Sequence, residues 1–402
     1  MGTDRLGRAH HATHPYMDPS GEHTRMEIRR IDEAQALALC RDEWNELVER
    51  SETHTIFQTW EWHQSWWKAF GDDAQPLVLQ AWENGSLLGV APLVLTRRRV
   101  LGRRRRVVEL MGTGISDYSD FVVDSERPEV RGLLMQWLLD HRDLWDLLLF
   151  PNVPDKDHVV ALAQQCENAG MVSDRRFLCN CPRCCCQDSE EGKQFLRHRR
   201  LRRARNYFHK QGTVTFRTLS SPEEITEELP AYFAQHIRRR AVTKVPSKFL
   251  DPRLKAFHRE LGQVLAPTGR MLLLTTRLDS RPLAYELCFR LGDSLMAYDR
   301  CFDIDHSKHS PGHLSLANMI QYMLDQAMHQ LDLGRGDEPY KLEIANRMGE
   351  NHELRVYHSL LSRTLDRLVL RIISWLEASP RIGSWCHDLM VRLENHRWGP
   401  TG

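Results

Sequence analysis

The sequence lacks a long apolar run and lacks an excess of charge of either sign. No stretch reaches the roughly 18 consecutive apolar residues that a membrane-spanning helix needs, and the polar, His-rich first 25 residues lack the apolar core of a signal peptide. The 55 Lys and Arg against 54 Asp and Glu leave a net charge of +1, which gives no global attraction to nucleic acid or anionic membranes. We therefore expect a cytoplasmic protein with no integral membrane segment, a disordered leader over residues 1–25, and only local basic sites.

The sequence also lacks the second half of a typical zinc site. Five of its ten cysteines cluster in CNCPRCCC, between Cys179 and Cys186, and no second CxxC accompanies the one in this run. A disulfide framework is not expected in a large chain without a secretory signal. We expect no metal and favour reduced thiols in a variable loop, with a structural or regulatory zinc ion as the alternative.

Two strand–turn–strand segments of similar sequence divide the chain into halves. The first is PLVLQAW, a turn at Asn84-Gly85 and LLGVAPLVL; the second is RMLLLTTRL, a turn at Asp279-Ser280 and RPLAYELCFR. Asn-Gly between apolar runs predicts a β-hairpin, and the shared pattern predicts two related halves. We expect an α/β (α+β) fold in which each half is a mixed, mostly antiparallel sheet flanked by helices.

One carboxylate distinguishes the two halves. Glu286 stands where the first half has Pro92, so only the second half has a titratable group on its central strand. Strand alternation places Glu286 on one face with Ala284 and Cys288. Such a carboxylate is either the buried partner of an arginine or a general base with a raised pKa, and the first half is expected to be non-catalytic.

The segment Leu295–Leu342 holds a strand, a loop, a capped helix, a second strand and a polar loop in close succession. Ser310 as N-cap, Pro311 and Gly312 predict a helix that begins here. The N-terminus of such a helix attracts anions, so Ser310, Pro311, Gly312, His313 and Leu314 are candidates for holding a pyrophosphate. The alternative is a capped structural helix that binds nothing.

Aromatic and basic segments supply further candidates. IFQTWEWHQSWWKAFG is predicted to form a largely buried helix, from which Trp60 and Trp62 could reach a substrate. The arginine run Arg97–Arg106 is expected on a solvated turn. Lys193–Lys210 is predicted to be a basic helix, and a solvated helix is favoured over an RNA site because no stacking aromatics interleave its arginines.

These motifs together resemble the CelD/BcsL-type branch of the GNAT acyltransferases, which is linked to cellulose and exopolysaccharide synthesis. The similarity covers about residues 26–360 and is carried by SPGHLSLANMIQYMLDQAMHQLDLGRGDEPYKLEIA, FQTWEWHQSWW, LLGVAPLVL and MGTGISDYSDF. It implies tandem GNAT-like halves similar in architecture to the FemABX aminoacyl transferases. It also implies an acyl-CoA donor, such as acetyl-CoA, and a small-molecule amine or sugar-linked acceptor.

The resemblance sets the expected domain boundaries. We expect an N-terminal GNAT-like domain over residues 26–175 and a Cys-rich linker over 176–192. A catalytic GNAT domain over 193–362 and a helical tail over 363–402 follow.

The resemblance also gives the second half its expected roles. Glu286 is the candidate base, with Asp337 as a second candidate or a mere turn residue, and Tyr340 is the candidate acid for the leaving thiolate. Lys341 or Arg335 would neutralise an anionic group of donor or acceptor. The candidates for substrate contact are Lys341, Arg335, Asp299, Trp60 and Trp62.

Two alternatives to acyl-CoA-dependent transfer stay open. A FemABX-like transferase would take aminoacyl-tRNA as donor, which would suit the basic helix. A non-catalytic scaffold of a polysaccharide-synthesis complex would use the apolar stripe of TLDRLVLRIISWLEA to bind a partner or lipid, although packing on the body is favoured. The sequence does not indicate an oligomeric state.

Overall fold

The computed structural model describes residues 11–13, 26–33, 40–100, 103–185, 195–243 and 245–378. The chain divides into two compact units, unit 1 comprising residues 1–178 and 352–402 and unit 2 comprising residues 179–351. The chain therefore enters unit 2 once and returns to unit 1. This division differs from the expected boundaries because residues 352–362, assigned above to the second domain, belong to unit 1.

Sixteen strands and ten α-helices lie in the described part of the chain. The strands are β1 (His11–Thr13), β2 (Glu27–Ile31), β3 (Ala74–Pro76), β4 (Val78–Glu83), β5 (Ser86–Ala91), β6 (Leu93–Val100), β7 (Arg103–Leu110), β8 (Val122–Val123), β9 (Leu147–Val153), β10 (Val172–Cys185), β11 (Val214–Leu219), β12 (Met271–Leu278), β13 (Arg281–Leu291), β14 (Ser294–Phe302), β15 (Gln330–Asp332) and β16 (Arg347–Tyr357). The helices are α1 (Arg41–Arg50), α2 (Trp60–Phe70), α3 (Glu129–Asp140), α4 (Lys156–Asn168), α5 (Arg199–His209), α6 (Pro222–Arg240), α7 (Pro252–Leu265), α8 (Pro311–Asp325), α9 (Pro339–Leu342) and α10 (Leu360–Ala378). The expectation of a mixed α/β fold with helix-flanked sheets is confirmed.

Unit 1 contains two sheet regions. Strands β1, β2, β4, β5 and β8 form one sheet in that order, and the strands β9, β7, β6 and β3 follow one another in the second, with residues 352–357 of β16 paired to β9. The β4–β5 hairpin turns at Asn84 and Gly85, whose φ values of 50° and 82° are the left-handed pair that a tight hairpin turn requires. The predicted Asn-Gly hairpin is confirmed.

Unit 2 is a sheet with helices on both faces. Strands β11, β12, β13, β14 and β15 lie side by side, and residues 183–185 of β10 pair with β15. The neighbours are antiparallel except β14 and β15, which run parallel. Helices α6 and α7 precede β12, and α8 connects β14 to β15. In the hydrophobic core of unit 2, side chains of α8 such as Leu316, Met319 and Ile320 pack against strand residues such as Leu272 and Cys288.

Three expectations about local structure were wrong. The arginine run lies in strands β6 and β7 rather than on a solvated turn, because Arg98 pairs with Glu109 and Arg105 with Asp366. The cysteine segment is strand as far as Cys185, and Cys186 lies outside the described residues. Helix α8 does begin at Pro311, but within the described chain the Ser310 side chain makes no capping hydrogen bond and its backbone is left-handed, with φ 57°.

The C-terminal helix α10 does not bury its apolar stripe against the described residues. Leu361, Leu365, Leu368 and Trp375 are exposed, whereas Asp366 on the opposite side is buried against Arg105, Arg355 and Tyr357. The favoured interpretation, in which the apolar stripe packs on the body, is therefore wrong over these positions. Among the helices described, none combines the length and the apolar content needed to cross a bilayer.

Candidate active site

The two parallel strands of unit 2 pair over three residues and then part. Ser294, Leu295 and Met296 of β14 pair with Gln330, Leu331 and Asp332, after which β15 ends and β14 continues to Phe302. Immediately past this point β14 carries a bulge, because Cys288 of β13 pairs with Ala297 while Leu287 pairs with Asp299, which leaves Tyr298 as the extra residue. The bulge and the parting strands make this the most irregular part of the sheet.

Glu286 lies on β13 opposite the parted segment, on the sheet face that α8 covers. It is buried, and its cross-strand neighbour is Arg300 of β14, whose Nε lies 3.4 Å from Glu286 Oε1. The Ser315 hydroxyl on α8 is a further neighbour of the Glu286 carboxyl. Burial raises the pKa of Glu286 to about 6, and the Arg300 charge and the Ser315 hydroxyl offset only part of the rise. Glu286 is thus both arginine-paired and able to exchange a proton near neutral pH.

Arg300, which sequence reasoning missed, connects the candidate residues. Its Nη2 donates a 2.7 Å hydrogen bond to the carbonyl of Gly312, and its guanidinium carbon lies 4.1 Å above the ring of Tyr340. Together with the Glu286 ion pair, these contacts bring Glu286, Gly312 and Tyr340 around one buried cation. Strand alternation in the sequence could have identified Arg300, because it places Arg300 on the opposite face of β14 from its neighbour Asp299.

The start of α8 offers fewer phosphate donors than expected. Pro311 has no N–H, and the N–H of His313 donates to the Ser310 carbonyl at 3.0 Å. Pro311, Gly312 and Leu314 are buried, and a Cβ added at Gly312 would lie 2.7 Å from Arg300 Nη2, so this glycine makes room for the arginine. Whether Ser310–Leu314 holds a pyrophosphate stays a prediction.

The basic helix α5 lies beside the start of α8. Tyr207 stacks on His309 with ring centroids 3.5 Å apart, and Arg200 donates to Glu343 at 3.1 Å and to His313 at 3.2 Å. The remaining α5 arginines are exposed and have no partner among the described residues: Arg199, Arg202, Arg203 and Arg205. Any polyanion bound at the start of α8 would therefore meet unneutralised positive charge on α5.

The polar loop after β15 is closed by its own side chains. Gly334 and Gly336 have positive φ values of 70° and 92°, which glycine adopts readily. Lys341 is buried, donates to the Arg335 carbonyl and pairs with Glu338 at 2.8 Å, so its charge is already compensated within the loop. Asp337 is exposed and accepts from Asn180 at 3.3 Å. Tyr340 of this loop reaches the Glu286 group through Arg300.

Asp299 lies on the opposite face of β14 from Arg300, under helix α6. Its carboxylate accepts from the Tyr232 hydroxyl at 2.6 Å and pairs with Lys248 Nζ at 3.1 Å, and His236 Nε2 lies 3.7 Å away. Burial acts to raise the pKa of Asp299, but Lys248, His236 and Tyr232 outweigh it and hold the pKa below its usual range. Asp299 therefore favours the ionised form, and whether it contacts a substrate stays a prediction.

The remaining sequence candidates do not join this group. Trp60 and Trp62 belong to unit 1, where Trp62 is buried and its indole donates to Ser116 Oγ at 2.9 Å. Among the described residues, Cys179, Cys181, Cys184 and Cys185 lie in β10 and are not joined in disulfides. Across the part of the chain that the structure describes, no three His, Cys, Asp or Glu side chains are grouped to hold a metal ion.

Comparison with known proteins gives a fold and a domain family. The chain is similar to the crystal structure of FemX, with 12% identity, a TM-score of 0.57 and coverage of 82% of this chain and 98% of FemX. It is also similar to L-PGS from Bacillus licheniformis, with 11% identity, a TM-score of 0.51 and coverage of 82% and 95%. At such identities the similarity shows the fold alone. The comparison with curated proteins found no match.

A family model covers the part of the chain that holds the Glu286 group. The model is described as an acetyltransferase (GNAT) domain, and it matches residues 196–342, from the start of α5 to the end of α9. Glu286, Arg300, Gly312 and Tyr340 all lie inside this match. Over residues 196–342 the chain is thus similar to GNAT acetyltransferase domains.

Proposed function

We propose that unit 2 is an N-acyltransferase that moves an acyl group from acyl-CoA to an amine, in the CelD/BcsL-type branch that the sequence motifs resemble. The observation that supports it most directly is Glu286, a buried carboxyl with a pKa of about 6 next to the parting of β14 and β15. A base with this pKa is largely ionised at neutral pH and still takes up a proton readily.

The reaction would proceed by direct transfer. Glu286, directly or through a water molecule, takes the proton of the acceptor ammonium, and the amine nitrogen attacks the thioester carbonyl carbon. The carbon–sulfur bond breaks, the leaving thiolate takes its proton from the Tyr340 hydroxyl, and the second proton that the nitrogen loses returns to Tyr340 through solvent. Backbone N–H groups near the Tyr298 bulge would bind the carbonyl oxygen as its negative charge develops.

The donor phosphates would lie near the start of α8. The few backbone donors there are supplemented by cationic side chains, because Arg200 and the free arginines of α5 flank this point. Charge from side chains would thus replace the glycine-rich loop on which phosphate sites of this kind usually depend.

Thiol release from acetyl-CoA in the presence of primary amines tests the proposal. We expect release that depends on the amine, and we expect at least a hundredfold slower release by the Glu286→Gln variant, within the range that a general base supplies. Asp325→Asn, an exposed change at the far end of α8, is the matched control. If Glu286→Gln releases thiol at an unchanged, amine-dependent rate, Glu286 is not the base. If acetyl-CoA gives neither thiol release nor a rise in Tm, acetyl-CoA is not the donor.

The second candidate is an aminoacyl-tRNA-dependent transferase, which the free arginines of α5 favour. Four exposed cations along one helix fit the backbone of a nucleic acid, whose binding weakens steeply with salt. Neutralising Arg202 and Arg203 should weaken tRNA binding and reduce the slope of its salt dependence by about 1–2. Neutralising Arg175 and Arg347, which are also exposed, is the control. If the protein does not bind tRNA, or if the α5 substitutions do not weaken that binding, aminoacyl-tRNA is excluded as the donor.

A further inference from the structure

The carboxylate of Asp299 accepts hydrogen bonds from groups other than its lysine partner. The Tyr232 hydroxyl donates to it at 2.6 Å, and the backbone N–H of Arg300 donates at 2.9 Å. These donors come from α6 and from the strand itself, so both remain if Lys248 moves away. Asp299 would then be a half-buried, hydrogen-bonded carboxylate that faces an ammonium-sized space.

Lys248 occupies that space in the manner of a bound ligand. Its Nζ lies 3.1 Å from Asp299 Oδ2, 4.5 Å from the Tyr298 ring centroid and 5.3 Å from the Phe249 ring centroid. A carboxylate beside aromatic faces is the arrangement that recognises alkylammonium groups. The unbranched lysine side chain shows that the space admits a primary ammonium on a straight aliphatic stem.

The loop that carries Lys248 is anchored independently of the lysine. Phe249 is fully buried against Phe233 and His236, and Ser247 Oγ accepts from the Phe249 N–H at 3.1 Å and contacts His236 Nδ1 at 2.7 Å. The Lys248 side chain itself remains 31% exposed. The side chain can therefore leave Asp299 for solvent while the loop stays in place.

The position of this space relates it to acyl transfer. Tyr298 is the bulged residue of β14 and Asp299 follows it, so the space adjoins the segment where β14 and β15 part. An ammonium bound here would lie beside the strand segment at which the proposed reaction would occur, but on the face opposite Glu286. It would therefore be a second cationic group of the acceptor and not the nitrogen that Glu286 deprotonates.

We propose that Asp299, Tyr298 and Phe249 form a subsite for a primary alkylammonium group of the acceptor, which Lys248 fills until the acceptor displaces it. This inference rests on the proposed function and names the acceptor class as amines that carry a second ammonium group on an unbranched aliphatic stem. It concerns binding and includes no covalent step.

Chemical complementation of a Lys248→Ala variant tests the subsite. This substitution removes the propylammonium end of the lysine, so n-propylammonium chloride is the probe, and its binding is measured by the concentration-dependent rise of Tm at constant ionic strength. We expect at least tenfold tighter binding by Lys248→Ala than by the natural chain. We also expect this gain to be lost in Lys248→Ala/Asp299→Asn and absent from Lys255→Ala, which truncates a lysine on α7.

Three outcomes would overturn the proposal. They are equal binding by Lys248→Ala and the natural chain, a gain that survives Asp299→Asn, and equally tight binding of the neutral isostere 1-propanol. If Lys248→Ala does not fold, Lys248→Ser, whose short side chain also leaves the space open, is used with the same expectations. Thiol release from acetyl-CoA is followed in parallel with 1,5-diaminopentane as acceptor, because one of its two amines can bind the subsite while the other reacts. Its absence alongside intact propylammonium binding would refute the proposed transfer and leave the subsite standing.

Discussion

The buried Glu286 carboxyl should make the protein less stable as the pH rises through the weakly acidic range. Its pKa is about 6 in the folded protein and 4.5 as the ordinary value. Below pH 4.5 it is protonated in both states, and between these two values only the folded state keeps the proton. At about 1.36 kcal/mol per pH unit, the ionised group costs the folded state about 2 kcal/mol above pH 6.

Glu286→Gln removes this cost because glutamine keeps the shape of the protonated side chain. We expect the variant and the natural chain to have similar free energies of unfolding at pH 4, and the variant to be about 2 kcal/mol more stable at pH 7. Urea unfolding at half-unit pH intervals measures the difference. The stability difference should change between about pH 4.5 and 6 and remain constant on either side.

Asp299→Asn provides a control of opposite sign. The pKa of Asp299 is held below its usual range, so its ionised form stabilises the folded protein and that stability is lost as the pH falls. The Asp299 variant should therefore lose stability at neutral pH and approach the natural chain in strong acid. A pH-independent difference for Glu286→Gln, or one that grows toward low pH, would refute the assigned environment of Glu286.

Other substitutions test the contacts around Arg300. Arg300→Met leaves Glu286 buried without a cation, so we expect a loss of about 3–5 kcal/mol in urea unfolding and a further rise in the Glu286 pKa; an unchanged pKa would contradict the pairing. Gly312→Ala places a Cβ 2.7 Å from Arg300 Nη2 and should lower both Tm and acetyl-CoA binding, whereas Gly132→Ala, with 3.6 Å of clearance, should be neutral or stabilising. Tyr340→Phe keeps the ring under Arg300 and should reduce the transfer rate without lowering Tm; an unchanged rate would remove Tyr340 as the acid.

Local turn and helix chemistry made part of this fold predictable. Asn84-Gly85 specifies a tight turn by its own backbone preferences, and Pro311 fixes the start of α8, so neither depends on distant residues. The arginine run was misjudged because its side chains are neutralised by partners far along the chain, such as Asp366 for Arg105. A pattern read over a short window does not contain such pairs.

The candidate site shows the same limit. Alternation along β13 predicted a buried titratable group at Glu286, but only the folded sheet shows that Arg300 faces it and that Tyr340 lies over the arginine. Lys248 lay in a loop of unremarkable composition, and its contact with Asp299 spans 51 residues of sequence. The sequence predicted Ser310 as an ordinary N-cap. Its backbone is left-handed, however, and its hydroxyl makes no capping hydrogen bond to the described residues.

The order in which the chain builds its two units has a consequence for synthesis. Residues 352–357 pair with β9, so unit 1 receives one of its strands only after all of unit 2 has been made. Until then Leu147–Val153 is paired with β7 on one side only, and its other edge is open to wrong partners. A ribosome-bound chain should therefore protect unit 2 from proteolysis before it protects unit 1, reversing the usual N-terminal-first order.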